Sequence, residues 1–145
     1  MSTREIFVRA PPDGRCVRST LESIALALIN EDHQSDVVKH VRTKIGSYRK
    51  QDQRAGRPEY GIAPFDVLRA LLKARMLCTY CLGRMSFFPR EKGDVFQWTL
   101  DRVDNDDGHS LANCEVSCLQ CNLRKKRRNS EGFKFGMQVK VTKEN

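Results

Sequence analysis

Two C-x2-C pairs, Cys78/Cys81 and Cys118/Cys121, constrain this chain more than any other feature. Each pair can grip one ion from a tight turn, so if the pairs share an ion the segment between them must fold back on itself. The opening residues Met1-Ser2-Thr3-Arg4-Glu5 contain no apolar signal core, which predicts an intracellular, reducing setting and reduced thiols. Structural zinc held by four thiolates then outranks a disulfide framework, a redox C-x2-C or buried free thiols. Cys16 and Cys114 stand apart and read as core or surface thiols.

The 145 residues hold no repeat or low-complexity tract, which suits one domain or one small module with an extension. With 39% hydrophobic and 30% charged residues the composition is that of a globular protein. No apolar run approaches the roughly 20 residues that a membrane span requires. The formal charge is +8. Four zinc-bound thiolates and one ion would bring it to about +6. That excess favours a polyanionic partner such as DNA or RNA, although charge alone also describes a solvated surface.

Hydrophobic periodicity organises the rest. Ser19-x-x-Glu22 forms a capping-box pattern before Leu21, Ile24, Ala25, Leu28 and Ile29, which predicts a helix near 20–30. Val37, Val38, Val41, Ile45 and Tyr48 follow the cap candidate Ser35 and define a second helix, whose other face carries Lys39, Arg42, Lys44 and Arg49. Gln51 to Pro58 reads as a polar connection. Pro64 suits the first turn of a third helix holding Val67, Leu68, Leu71 and Leu72. Next come a knuckle-like turn over Cys78-Thr79-Tyr80-Cys81-Leu82-Gly83, a strand from Val95 to Leu100, a loop rich in turn residues from Asp104 to Gly108, a return strand at Cys114-Glu115-Val116 and a helix from Cys118 to Arg128. Phe133, Phe135, Val139 and Val141 alternate as a final strand would. His33 and His40 read as ordinary residues of the helical region.

Thr99-Leu100-Asp101-Arg102-Val103-Asp104-Asn105, Gly108-His109, Asn113, Cys118-x-x-Cys121-Asn122 and Lys125 together resemble the HNH (ββα-metal, or His-Me finger) endonuclease family. The pattern is similar to its zinc-ribbed, four-cysteine branch in phage and large DNA viruses, which includes phage Holliday-junction-resolving endonucleases. The specific motifs span 78–125, and weaker likeness reaches back to about 45. The resemblance implies an α+β fold in which a helical extension precedes a zinc-stapled ββα unit. It also implies hydrolysis of DNA, duplex or branched, with magnesium or manganese held by Asp101 and Asn122. Asn113 would tie the loop to the strand.

The chemistry of such a site follows from residue types. An anionic phosphodiester resists attack, so a divalent cation with hard oxygen ligands is needed where negative charge develops. Alone, Asp101 would read as a turn or salt-bridge acid and Asn122 as a capping amide. The family usually places histidine directly after the acid, as general base. Here Arg102 stands there, able to neutralise a phosphate but not to accept a proton. His109, the one histidine inside the module, is the first candidate base and Tyr80 the second. Arg124, Lys125, Lys126, Arg127 and Arg128 are expected along the DNA backbone, in a run that also fits a nuclear import signal. The expected division is a helical, basic extension over 1–65, the nuclease module over 66–130 and a tail over 131–145. The alternative is a non-catalytic zinc module that binds DNA or chromatin through its basic helix, and a protein-interaction adapter would leave the basic run unused.

Overall fold

Residues 10–144 are described by a computed structural model, and the reading of residues 1–5 lies outside them. Three N-terminal helices form first: α1 (Gly14–Ile29), α2 (Asp36–Ala55) and α3 (Pro64–Lys73). Asp13, not Ser19, caps α1, accepting the Cys16 amide at 2.7 Å. Ser19 lies one turn inside, where its carbonyl accepts the Ser23 hydroxyl. The Pro11-Pro12 pair cannot donate to a preceding turn, so the first residue free to cap is the acid that follows. Ser35 caps α2 as expected, and Pro64 opens α3 at a position where its missing N–H costs nothing.

The apolar stripe of α2 comprises Val37, Val38, Val41, Ile45 and Tyr48, all buried, and its next member is Asp52. The helix therefore extends through Ala55, into the first part of what the sequence suggested was a polar connection. It ends at Gly56, whose φ of 68° gives the left-handed cap that glycine adopts without steric penalty. One continuous core joins the helices to the rest: Val38, Val41, Val67, Leu68 and Leu71 are buried together with Met76, Cys78, Tyr80, Met85 and Trp98.

The second half is an antiparallel pair, β1 (Trp98–Arg102) and β2 (Cys114–Cys118), in register from Trp98↔Cys118 to Arg102↔Cys114. β1 starts three residues later than the alternation of Val95 to Leu100 suggested. The preceding turn is gathered by buried Asp94, which accepts from the Arg90 side chain and from the Phe96 amide. α4 (Leu119–Lys125) packs on both strands. It stops at Lys125 because Lys126 takes φ 52° and ψ −121°, a backbone geometry that no helix continues. The fold is thus α+β, as expected, with a ββα unit behind a helical layer.

The final segment is not a strand. Ser130–Glu144 forms α5, started by Asn129, whose side chain accepts the Gly132 amide at 3.0 Å. Phe133 and Met137, four residues apart, turn toward the core, and Phe133 meets Tyr80 edge to face at 5.2 Å. Phe135 points outward. The i, i+4 pair decided the structure against the period-two pattern.

Two glycines give opposite expectations. A Cβ on Gly108 would lie 2.0 Å from the Pro58 carbonyl oxygen, whereas one on Gly46, inside α2, would meet nothing within 4 Å. Gly108→Ala is expected to lower stability by roughly 1–3 kcal/mol through overpacking. Gly46→Ala is expected to raise it by roughly 0.5–1 kcal/mol through helix propensity. Urea denaturation of both variants checks the pair, and equal effects would contradict the packing of the hairpin loop on the segment after α2.

Candidate metal centre and cleft

The two knuckles are built from backbone amides aimed at sulfur. Tyr80 N–H and Gly83 N–H reach the Cys78 and Cys81 sulfurs at 3.4 Å, and Cys121 N–H reaches Cys118 Sγ at 3.4 Å. The sulfurs of Cys78, Cys81, Cys118 and Cys121 all lie within 4.8 Å of one another. A tetrahedral zinc–thiolate site, with Zn–S near 2.3 Å, requires sulfurs about 3.8 Å apart. Cys81 and Cys118 stand at 3.9 Å. All four are free thiols, so the cluster can hold a metal such as zinc.

A cleft of about 670 Å³ opens beside this cluster. β1 forms its floor, α2 one wall through Thr43, Lys44, Ser47 and Gln51, and α4 the other through Leu119, Asn122 and Leu123, with Lys126 just beyond the helix end. The first three of these α2 positions sit close together on one helical face, and Gln51 continues it a turn later. Side chains of α2 also cover the open edge of β1. Tyr48 Oη accepts the Leu100 amide at 3.0 Å, and Lys44 Nζ donates to the Trp98 carbonyl and to Gln97 Oε1. Burial draws Lys44 down to about 8, with Asp94 opposing.

Asp101, Arg102, His109 and Asn122 all line this cleft. Asp101 is buried, and its Oδ2 accepts from Tyr80 Oη at 2.5 Å and from Lys125 Nζ at 3.0 Å. Asn122 donates its Nδ2 to Thr99 Oγ1 at 3.1 Å, which leaves the amide oxygen as the group available for a ligand. A carboxylate oxygen and an amide oxygen are both hard donors of the kind that magnesium accepts. Arg102 spends Nη1 on the carbonyls of Asn105 and Asp107, closing the loop after β1. Asn113 ties the same loop: its Oδ1 accepts the Asp104 amide at 2.8 Å and its Nδ2 donates to the carbonyls of Asp104 and Gly108.

His109 is buried and stacked on Tyr48, with ring centroids 4.5 Å apart, and its Nδ1 lies 3.1 Å from both oxygens of Asp52. Burial lowers its pKa below the ordinary imidazole value, while Asp52 pulls the other way. Tyr80 is a different case. Burial first, and then its bond to Asp101, raise the phenol, so it donates behind the carboxylate and cannot serve as a base near neutrality.

The basic run is not one surface. Arg124, Lys126, Arg127 and Arg128 are exposed, but Lys125 is fully buried between Asp101 and the Arg102 carbonyl. Its acidic partner is distant in sequence, so nothing in the run itself announced the pairing. Lys39 and Arg42 do not reach the cleft, and Arg42 holds the His33 carbonyl instead. Tyr48 and Asp52 were missed as site residues because they sit on a helix that looked like an extension, whereas Lys44, read from the sequence as part of that helix's basic face, does line the cleft. The one available signal was an acid in phase with an apolar stripe.

No family model and no curated protein matches this sequence. The fold is similar to that of the rare-cutting HNH restriction endonuclease PacI, with a TM-score of 0.53 and 17% identity over 70% of this chain and 77% of that chain. At that identity the likeness is one of fold, and the class it defines is an HNH-like α+β module.

Removing one thiolate tests the cluster. Cys118→Ser is expected to lose the bound metal and several degrees of melting temperature, because metal binding and folding are coupled in such sites. Metal analysis and thermal melting check this, and a full metal complement with unchanged melting would contradict a four-sulfur site.

Proposed function

We propose that this chain is a metal-dependent DNA endonuclease of the HNH type, with structural zinc on the four cysteines. The observation that carries the proposal is the convergence of Asp101, Asn122 and His109 on one cleft, walled by α2 and α4. The fold likeness to an HNH restriction endonuclease and the exposed cations after Asn122 support it.

Asp101 and Asn122 would hold magnesium or manganese through one carboxylate oxygen and one amide oxygen. When bound, the cation stabilises negative charge on the non-bridging and leaving oxygens of the phosphodiester. Tyr80 and Lys125 fix Asp101 from behind, both on Oδ2, and so direct its other oxygen to the cleft. Lys125 also offsets the carboxylate charge, so tight cation binding is expected only once a DNA phosphate adds its own charge. His109, neutral above its depressed pKa, takes the proton of the attacking water. Arg102 adds fixed positive charge beside the scissile phosphate while bracing the loop. Arg124, Lys126, Arg127 and Arg128 follow the flanking backbone and give affinity rather than sequence choice.

Asp101→Asn is the appropriate test, since alanine would strand the buried Lys125 ammonium without a partner. It is expected to abolish cleavage of supercoiled, linear and branched DNA in magnesium or manganese while DNA affinity changes little. Neutralising Arg124 and Arg128 together is expected to flatten the salt dependence of binding by about two phosphate contacts. Wild-type cleavage rates in Asp101→Asn would overturn the assignment. A wild-type protein that binds DNA but cleaves none with either metal would replace the nuclease by a zinc-stabilised binding module.

A further inference from the structure

A buried carboxylate on the core stripe of a helix requires an explanation, and Asp52, 2% exposed, is such a group. Its partners are His109 and Arg57. The carboxylate accepts the His109 backbone amide at 2.9 Å, faces His109 Nδ1 at 3.1 Å from both oxygens, and accepts Arg57 Nε at 2.9 Å. Burial alone would raise its pKa, but the bonds from the His109 amide and Arg57 outweigh burial and hold it below the usual carboxylate value. Asp52 is therefore ionised near neutral pH and can only accept.

The tautomer of His109 follows. An acceptor-only partner on Nδ1 requires the proton on that nitrogen, which leaves the lone pair on Nε2. The ring cannot readily turn away. Tyr48 stacks on it at an interplanar angle of 22°, and the Tyr48 hydroxyl is itself held by the Leu100 amide. Gly108, immediately before His109, lies against the Pro58 backbone with no room for a Cβ. Tyr60 Oη adds a bond to Asp107 at 2.7 Å, so the segment after α2 holds the loop at Gly108 and at the residue before it.

We propose that Asp52 is the positioning residue for His109, fixing the Nδ1–H tautomer and stabilising the imidazolium that forms when Nε2 takes a proton. The inference rests on His109 being the base of the nuclease site proposed above. The proton passes from the attacking water to Nε2, Nδ1 keeps its own, and Asp52 stays ionised throughout. The helical segment thereby contributes to catalysis, since the base is held by a side chain of α2. The charged groups facing His109 are Asp52 from α2, Arg57 from the segment that follows it and Arg102 from β1. Only the first favours the protonated ring.

Asp52→Asn keeps the shape and an acceptor for the His109 amide but removes the charge. It is expected to cut kcat by about 10²–10⁴-fold with little change in KM for DNA. It is also expected to move the acid limb of the pH–rate profile to lower pH, because the group that raises the His109 pKa is gone. A merely structural role would lower melting temperature and leave that limb in place.

The direct measurement is ¹⁵N-detected histidine NMR on the full-length, zinc-loaded chain, with His109 assigned by His109→Gln. Wild type is expected to show the Nδ1–H tautomer, and Asp52→Asn a rise in Nε2–H together with a lower His109 pKa. An Nε2–H tautomer in an active wild-type protein would overturn this inference alone, and that spectrum decides the matter even where Asp52→Asn fails to fold. Identical tautomer and pKa in a folded Asp52→Asn would overturn it as well. A wild-type protein with the expected tautomer that cleaves no DNA would sink the nuclease reading, and with it the catalytic use of the pair.

Discussion

Four thiols with every sulfur inside 4.8 Å cannot all ionise unless a cation lies among them, and the positions of the proposed catalytic ligands depend on that cluster. Cys118 ends β2, caps α4 and belongs to the cluster, so ligand, strand end and helix start coincide in one residue. Asn122 follows on α4, where it reaches Thr99 of β1. The first knuckle contributes Tyr80 between its two cysteines, and Tyr80 holds Asp101. Both groups proposed to bind the catalytic cation are thus set by residues that begin or span a cysteine pair. The cation and the zinc would nonetheless remain separate, one on oxygen and one on sulfur.

The opposite side of the cleft depends on a different requirement. A two-stranded sheet leaves one edge of β1 with unpaired backbone groups, and buried groups of this kind must find partners. Lys44 and Tyr48 supply them, at the Trp98 carbonyl and the Leu100 amide. The same helix, one turn later, presents Asp52 to His109. Capping of the β1 edge and the holding of His109 are therefore performed by successive turns of α2, so an imidazole lines the cleft of a chain that has arginine after its acid. The ring arrives from the loop and is oriented by the helix.

Much of this was legible in the sequence because the signals were local. Ser35, Pro64 and the cysteine spacing each act within a few positions and are found where expected, and the hairpin forms with its first strand shifted by three residues. Asp101, Asn122 and His109 could be nominated from motif and composition, and they do line one cleft. The failures share a cause: the deciding contact was remote or the local pattern was degenerate. Lys125 looked like one more surface cation until Asp101 supplied its partner. Asp52 looked like part of a polar connection, although it falls in phase with Val41, Ile45 and Tyr48. In the last segment both periods were present, and Phe133 packing on Tyr80 favoured the helix.

The most direct test of the central claim is the single-turnover rate of DNA cleavage against pH for wild type and His109→Ala, in saturating magnesium. If His109 is the base, the variant is expected to lose roughly two to four orders of magnitude and the acid limb set by the depressed imidazole pKa. Full activity with an unaltered acid limb would contradict the assignment and place the base elsewhere.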